Sequence, residues 1–180
     1  MAGQELLGWA SAGDMSLAHA VIDACWSSEG HPIDARNTWI IHDRDEVVAA
    51  LLGASAAQWS QDERRAPVSL DHIGPRTLIH PMLARFMIQR TVRPEMPPSW
   101  WYLSSIAVAK AHRRRGLARL LLKHAESLAL ENGCDGVVLE VVTANQAAVD
   151  MYDSLGYAHD LEWCAPTGPP VRRLKKALTK

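Results

Sequence analysis

The sequence predicts an α/β domain, and three observations carry that expectation. Strand-like runs alternate with helical patterns along the chain. Two β-rich runs, Asn37 to His42 and Glu46 to Gly53, are separated only by Asp43-Arg44-Asp45, which predicts an antiparallel hairpin. Further on, a strand-like run from Tyr102 to Ala109 passes through a short basic turn into a helix, and an apolar strand-like run, Gly136 to Val142, follows.

Composition sets the outer bounds. A chain of 180 residues with 48% apolar side chains suits one globular domain over residues 1–180. A net charge of −1 argues against a general nucleic-acid or anionic-membrane surface, so any basic patch must be local. The three cysteines, Cys25, Cys134 and Cys164, are far apart and lack Cys-x-x-Cys spacing, which predicts thiols in a reducing cytoplasm. The N-terminus has no basic-then-apolar signal pattern, and the run Val47 to Ala57 is too short to cross a membrane. Eight histidines are scattered without a His-Glu-x-x-His pair, so no metal site is expected.

The elements follow in order. Glu5 to Ala10 reads as a short strand, and Asp14 as the N-cap of a helix through Met15, Ala18, Val21, Ile22 and Cys25. Gly30 and His31-Pro32 break that helix. After the hairpin, Ala54 to Ala57 extends the second strand, and the polar stretch Gln58 to Pro75 reads as a surface loop. Thr77 to Gln89 has helical spacing, starting near Pro81. Arg93 to Ser99 holds three prolines and reads as an extended connector. Leu117, Leu120, Leu121, Ala125 and Leu128 mark one face of a long helix, which Asn132-Gly133 should close. Gly136 to Val142 is apolar except for Glu140, as in a strand buried on both faces. Asn145 opens a short helix that Gly156 ends; Tyr157 to Trp163 and Val171 to Leu178 are the last strands.

The basic turn is the most informative stretch. His112-Arg113-Arg114-Arg115-Gly116-Leu117-Ala118-Arg119 lies where a strand ends and a helix begins. A helix N-terminus presents unpaired N–H groups and partial positive charge, which attract phosphate. Gly116 has no Cβ to hold a phosphate away, and the arginines add attraction. The stretch is neither a Walker loop nor a Gly-x-Gly-x-x-Gly fingerprint. Read alone, it is equally a solvated basic helix start.

Two motifs together resolve that ambiguity. Arg113-x-x-Gly116-x-Ala118 between strand and helix, then Asn145-x-x-Ala148-x-x-x-Tyr152-x-x-x-Gly156-Tyr157, resembles the GNAT superfamily of acyl-CoA-dependent N-acyltransferases. Tyr102 to Tyr157 carries the resemblance; Gln58 to Ser99 has no counterpart in it. The resemblance implies a three-layer α+β fold, a mixed and mostly antiparallel central sheet with helices on both faces. It implies that the strands Tyr102 to Ala109 and Gly136 to Val142 splay apart to admit acetyl-CoA. Backbone groups of Ile106, Ala107 and Val108 would then pair with the pantetheine arm. Arg113, Arg114, Arg115, Gly116, Leu117, Ala118 and Arg119 would surround the pyrophosphate, and Asn145 and Tyr152 would complete the cofactor side.

The implied reaction is transfer of an acetyl group from acetyl-CoA to a primary amine of a small molecule or a peptide or protein N-terminus. It needs no metal. It requires a neutral amine, a polarised thioester carbonyl and a proton for the departing thiolate. By resemblance Tyr152 is the general acid; read from the residues alone, its ring packs on a helix core face. Glu140 is the candidate base, because a lone carboxylate in an apolar strand is costly unless paired or functional. Leu139-Glu140-Val141 resembles the corresponding stretch of ribosomal-protein alanine N-acetyltransferases, where the Glu is the base. A structural Glu bonded to backbone or arginine, with a water chain as base, stays open. The Val108 N–H is a candidate oxyanion donor. Trp59, Trp100, Trp101 and Trp163 are candidates for an acceptor pocket or for ordinary packing.

The expected partners are acetyl-CoA and an amine acceptor, with no nucleic acid and no membrane, and with a homodimer left open. The rival classes are a CoA-binding regulatory domain without turnover and a nucleic-acid binder using Arg113 to Arg115.

Overall fold

The computed structural model describes residues 26, 30–33, 35–65, 93–164 and 168–179. The strand expected at Glu5 to Ala10, most of the helix expected after Asp14, and the helix expected at Thr77 to Gln89 lie outside these residues.

A 3-10 turn at Ala35–Asn37 leads into β1 (Thr38–Asp43). There the buried Asn37 side chain donates to the Pro32 carbonyl at 3.0 Å. β2 (Glu46–Ser55) pairs antiparallel with β1, as the spacing predicts. Arg44 takes φ 55 in the connecting turn.

After Ser55 the chain departs from expectation. The stretch read as extended strand and loop is helix α1 (Ala56–Arg65). Ser55 Oγ accepts the Gln58 N–H at 3.2 Å, as an N-cap serine does. Ala56, Trp59 and Asp62 are buried at spacings of three, which puts them on one face. The helix escaped detection because that face holds one large apolar residue.

The connector 93–100 is irregular, as its prolines require. β3 (Trp101–Val108) follows, then a 3-10 turn at Lys110–His112 and the long helix α2 (Leu117–Glu131). The core face of α2 is Leu121, Leu122, Ala125 and Ala129, with Leu117 and Leu128 beside it. Leu120, expected on that face, is 57% exposed, because it lies over a third of a turn away from the stripe's centre. Asn132 and Gly133 close α2 as the sequence predicts. The Cys134 N–H reaches the Ala129 carbonyl, the Gly133 N–H reaches Leu130, and Gly133 has φ 71. β4 (Gly136–Val142), α3 (Gln146–Asp153), β5 (Ala158–Cys164) and β6 (Pro170–Ala177) complete the described chain.

The six strands lie in the order β1-β2-β3-β4-β6-β5. All neighbours are antiparallel except β3 and β4, which are parallel. Alternation along the strands divides the core into two layers. Leu51, Leu103, Val137 and Leu139 pack with α2 and with Val149 and Tyr152 of α3. Ala54, Tyr102 and Val138 pack with Ala56 and Trp59 of α1. The sheet is therefore covered on both faces, as the resemblance implies. Among the described residues no helix is long and apolar enough to cross a membrane.

Candidate active site

The site begins where β3 and β4 part. Their register holds for Trp101↔Val137, Tyr102↔Val138 and Leu103↔Leu139, and stops there. Among the described residues, β3 continues to Val108 paired only with β2, and β4 continues to Val142 paired only with β6. A bulge assists the parting: Leu52 pairs with Ser105 and Gly53 with Leu103, so Ser104 is the extra residue on β3. Among the described residues one edge of β3 beyond Leu103 lacks a strand partner, and Ile106, Ala107 and Val108 lie along it. An unpaired strand edge is a template for an extended ligand with amide groups.

The basic turn follows directly. Arg113 is extended (φ −67, ψ 160), Arg114 has φ 64 and Gly116 has φ 82 with ψ 0. Left-handed residues in such a turn make successive N–H groups converge into an anion-binding concavity. α2 starts with no side-chain cap, and the Leu120 N–H is the first to find a helical acceptor, at Gly116. The N–H groups of Leu117, Ala118 and Arg119 are thus left without intrahelical acceptors. A Cβ on Gly116 would meet no protein atom within 4 Å, so its positive φ, rather than crowding, demands glycine.

The arginines divide by role. Arg113 Nε donates to the Val108 carbonyl at 3.2 Å, tying the turn to the end of β3. Arg119 Nη2 donates to Ser154 Oγ at 2.8 Å, tying α2 to the end of α3. Arg114 and Arg115 are exposed. Open edge, turn and uncapped helix fit the arm and pyrophosphate of coenzyme A in order. Asn145 precedes α3 and caps it with its backbone: its carbonyl accepts from Ala148 and Val149 at 3.0 and 3.1 Å. Its side chain makes no capping bond.

Tyr152 sits on α3, 5% exposed, with its ring 5.8 Å from that of Tyr157. Burial pushes its phenol up to about 12. It therefore stays protonated as a donor through neutral pH.

Glu140 lies on the other face of the sheet, and its carboxylate is held by basic groups. Oε1 accepts from Arg173 Nη2 at 2.9 Å, Arg173 Nε at 3.3 Å and Trp163 Nε1 at 3.0 Å. Oε2 faces Arg93 Nε at 3.1 Å. Arg173 also donates to the carbonyls of Pro94 and Glu95 at 2.6 and 2.7 Å. Arg93 lies over the Tyr102 ring at 4.5 Å and faces Glu63 Oε1 at 3.4 Å, and that oxygen also accepts from Trp59 Nε1. Burial pushes the Tyr102 phenol up to about 12, while the Arg93 charge pulls the other way.

Sequence reasoning selected Glu140 but missed Arg93, Arg173 and Glu63. One signal was available for Arg173: a lone acid in a buried strand needs a cation, and Val171 to Leu178 is an adjacent strand candidate that carries one. Of the tryptophans, Trp163 and Trp59 belong to this cluster and Trp100 packs beside it. Trp101 lies in the opposite layer, 5.9 Å from Trp39.

A strand parting beside an uncapped helix start is what the resemblance implies, and sequence comparison agrees. The family model "Acetyltransferase (GNAT) family" matches residues 19–157. The chain belongs to the GNAT acetyltransferase family. It is 37% identical over 59 residues to N-alpha-acetyltransferase 30 of Xenopus laevis, covering 33% of this chain and 22% of that protein. It is 38% identical over 56 residues to streptothricin acetyltransferase of Streptomyces lavendulae, covering 31% and 30%. The matches thus span less than a third of these relatives' lengths. An N-acetyltransferase structure from Staphylococcus aureus Mu50 has a TM-score of 0.60 at 17% identity, covering 90% of this chain and 79% of that one. The ribosomal-protein-S18-alanine N-acetyltransferase of Escherichia coli has a TM-score of 0.51 at 15% identity, covering 92% and 77%. These two likenesses concern the fold.

Proposed function

We propose that the protein transfers an acetyl group from acetyl-CoA to a primary amine of a small molecule or a peptide or protein N-terminus, by direct attack in a ternary complex. The observation that carries this reading is the end of β3–β4 pairing at Leu103, upstream of the turn at Arg113 to Gly116. Acetyl-CoA supplies the activated thioester. Ile106, Ala107 and Val108 hold the arm along the open edge, Arg113 to Arg119 take the pyrophosphate, and Asn145 adds a pantetheine-side contact.

The amine nitrogen bonds to the acetyl carbon, the carbon–sulfur bond breaks, and one proton moves at each end. Tyr152 gives its phenol proton to the departing sulfur. Glu140 receives the amine proton through Oε2, directly or across a water, since Oε1 already has three donors. The Val108 N–H serves the carbonyl oxygen as charge develops on it. The names of the matched relatives support both acceptor classes, a protein α-amine and a small molecule.

One observation favours a second reading. A carboxylate bound by two arginines is what a purely structural Glu140 would look like, as in a CoA-binding regulatory domain without turnover. A thiol-release screen with acetyl-CoA against amines, amino acids and N-terminal peptides decides between the two. Release above background hydrolysis is the expected result. CoA binding with no release across the panel gives the second reading.

A further inference from the structure

Arg93 enters the Glu140 cluster from the segment between α1 and β3, outside the two sequence motifs. Its Nη1 faces Glu63 and its Nε faces Glu140 Oε2, the latter at 3.1 Å but without hydrogen-bond alignment. Its Nη2 is buried and has no hydrogen-bond partner among the described residues. Among the described residues every aligned hydrogen bond to Glu140 ends on Oε1, and Oε2 has only the unaligned Arg93 Nε at 3.1 Å. Nε and Nη2 share one carbon, so a buried donor without an acceptor lies beside a carboxylate oxygen that still has lone pairs to offer. A buried donor is rarely left so, and a ligand that completes both is favoured over one that completes neither.

A plain aliphatic amine offers N–H to Oε2 and nothing to Nη2. An α-amino group with its adjacent carbonyl or carboxylate oxygen offers both, at one spacing. We propose that Arg93 and Glu140 together read an α-amino-carbonyl unit, so that the acceptor is an amino acid, an amino-acid amide or a peptide N-terminus rather than a side-chain amine or polyamine. This rests on the transferase reading above and narrows its acceptor. Arg93 and Glu140 then form the acceptor-reading part of the site.

The test compares acceptors differing only in the carbonyl. Phenylalaninamide and phenethylamine are assayed with acetyl-CoA, alongside free phenylalanine and a Phe-Ala dipeptide, which sort carboxylate from amide and peptide sources. Wild type should favour phenylalaninamide in kcat/KM by at least about tenfold, since a site built to pair a polar group rejects the analogue lacking it. Arg93→Lys keeps the charge but loses the fork, and should bring the ratio toward one, with CoA affinity as its folding control. Thermal shift of the CoA-bound protein gives a second readout that needs no turnover. Stabilisation by the amide above phenethylamine, without release from either, would keep the recognition site and sink the transferase reading. Equal kcat/KM for the two acceptors in wild type overturns the proposal, as does an unchanged ratio in folded Arg93→Lys. If neither acceptor reacts, equal stabilisation or none overturns it. Should Arg93→Lys not fold, the wild-type comparison decides alone.

Discussion

Arg173 and Glu140 face each other across the β4–β6 register, with Arg173 Nη2 at 2.9 Å from Glu140 Oε1 and Arg173 only 1% exposed. A guanidinium buried that far has no water to replace its carboxylate. Removing one partner of such a pair strands the other charge. Arg173→Met should therefore lower stability by about 3–5 kcal/mol. Glu140→Gln should cost less, because the amide oxygen still accepts from Arg173 and Trp163. Urea unfolding of both variants checks this; equal midpoints for wild type and Arg173→Met would contradict it.

The phosphate turn is tested by Gly116→Asp. The position has φ 82, and a carboxylate there adds negative charge beside the free N–H groups of α2. Calorimetry should show loss of CoA binding. Unchanged affinity would move the pyrophosphate elsewhere.

The buried phenols of Tyr102, Tyr152 and Tyr157 should make the fold sensitive to alkali. Tyr102 and Tyr152 are both raised from 10.0 to about 12, mainly by burial. The unfolded chain loses these protons near pH 10, while the native state keeps them to about 12. Their contribution is fully present below pH 10 and is lost as pH rises from 10 to 12. The urea midpoint should fall over that window, less steeply in Tyr152→Phe. A midpoint independent of pH there would show that these phenols are not buried.

If Glu140 takes the amine proton, Glu140→Gln should lower kcat, because the amide has no carboxylate to receive it. Full activity in Glu140→Gln would assign the base to a water chain and leave Glu140 a structural role.

Much of this arrangement could be read from the residues. The hairpin announced itself through Asp43-Arg44-Asp45, and β4 matched its apolar run from Gly136 to Val142. The turn was legible because Gly116 and the arginines stand at a strand-to-helix junction, a local feature. What stayed hidden was non-local. Glu140 joins Arg173 from 33 residues away, and the Arg173 Nη1 bond to the Glu95 carbonyl spans 78. No periodicity encodes such meetings. α1 was missed for a different reason: its polar composition reads as loop until Trp59 is seen packed on Tyr102. The parting of β3 from β4 depends on where pairing stops, and only the family resemblance implied it.

The most direct measurement is the steady-state kinetics of Tyr152→Phe beside its CoA affinity. The substitution removes one oxygen and leaves the ring packed against Tyr157. If Tyr152 protonates the departing thiolate, kcat should fall by about 10²–10⁴-fold with CoA affinity unchanged. Full activity in Tyr152→Phe would contradict the account.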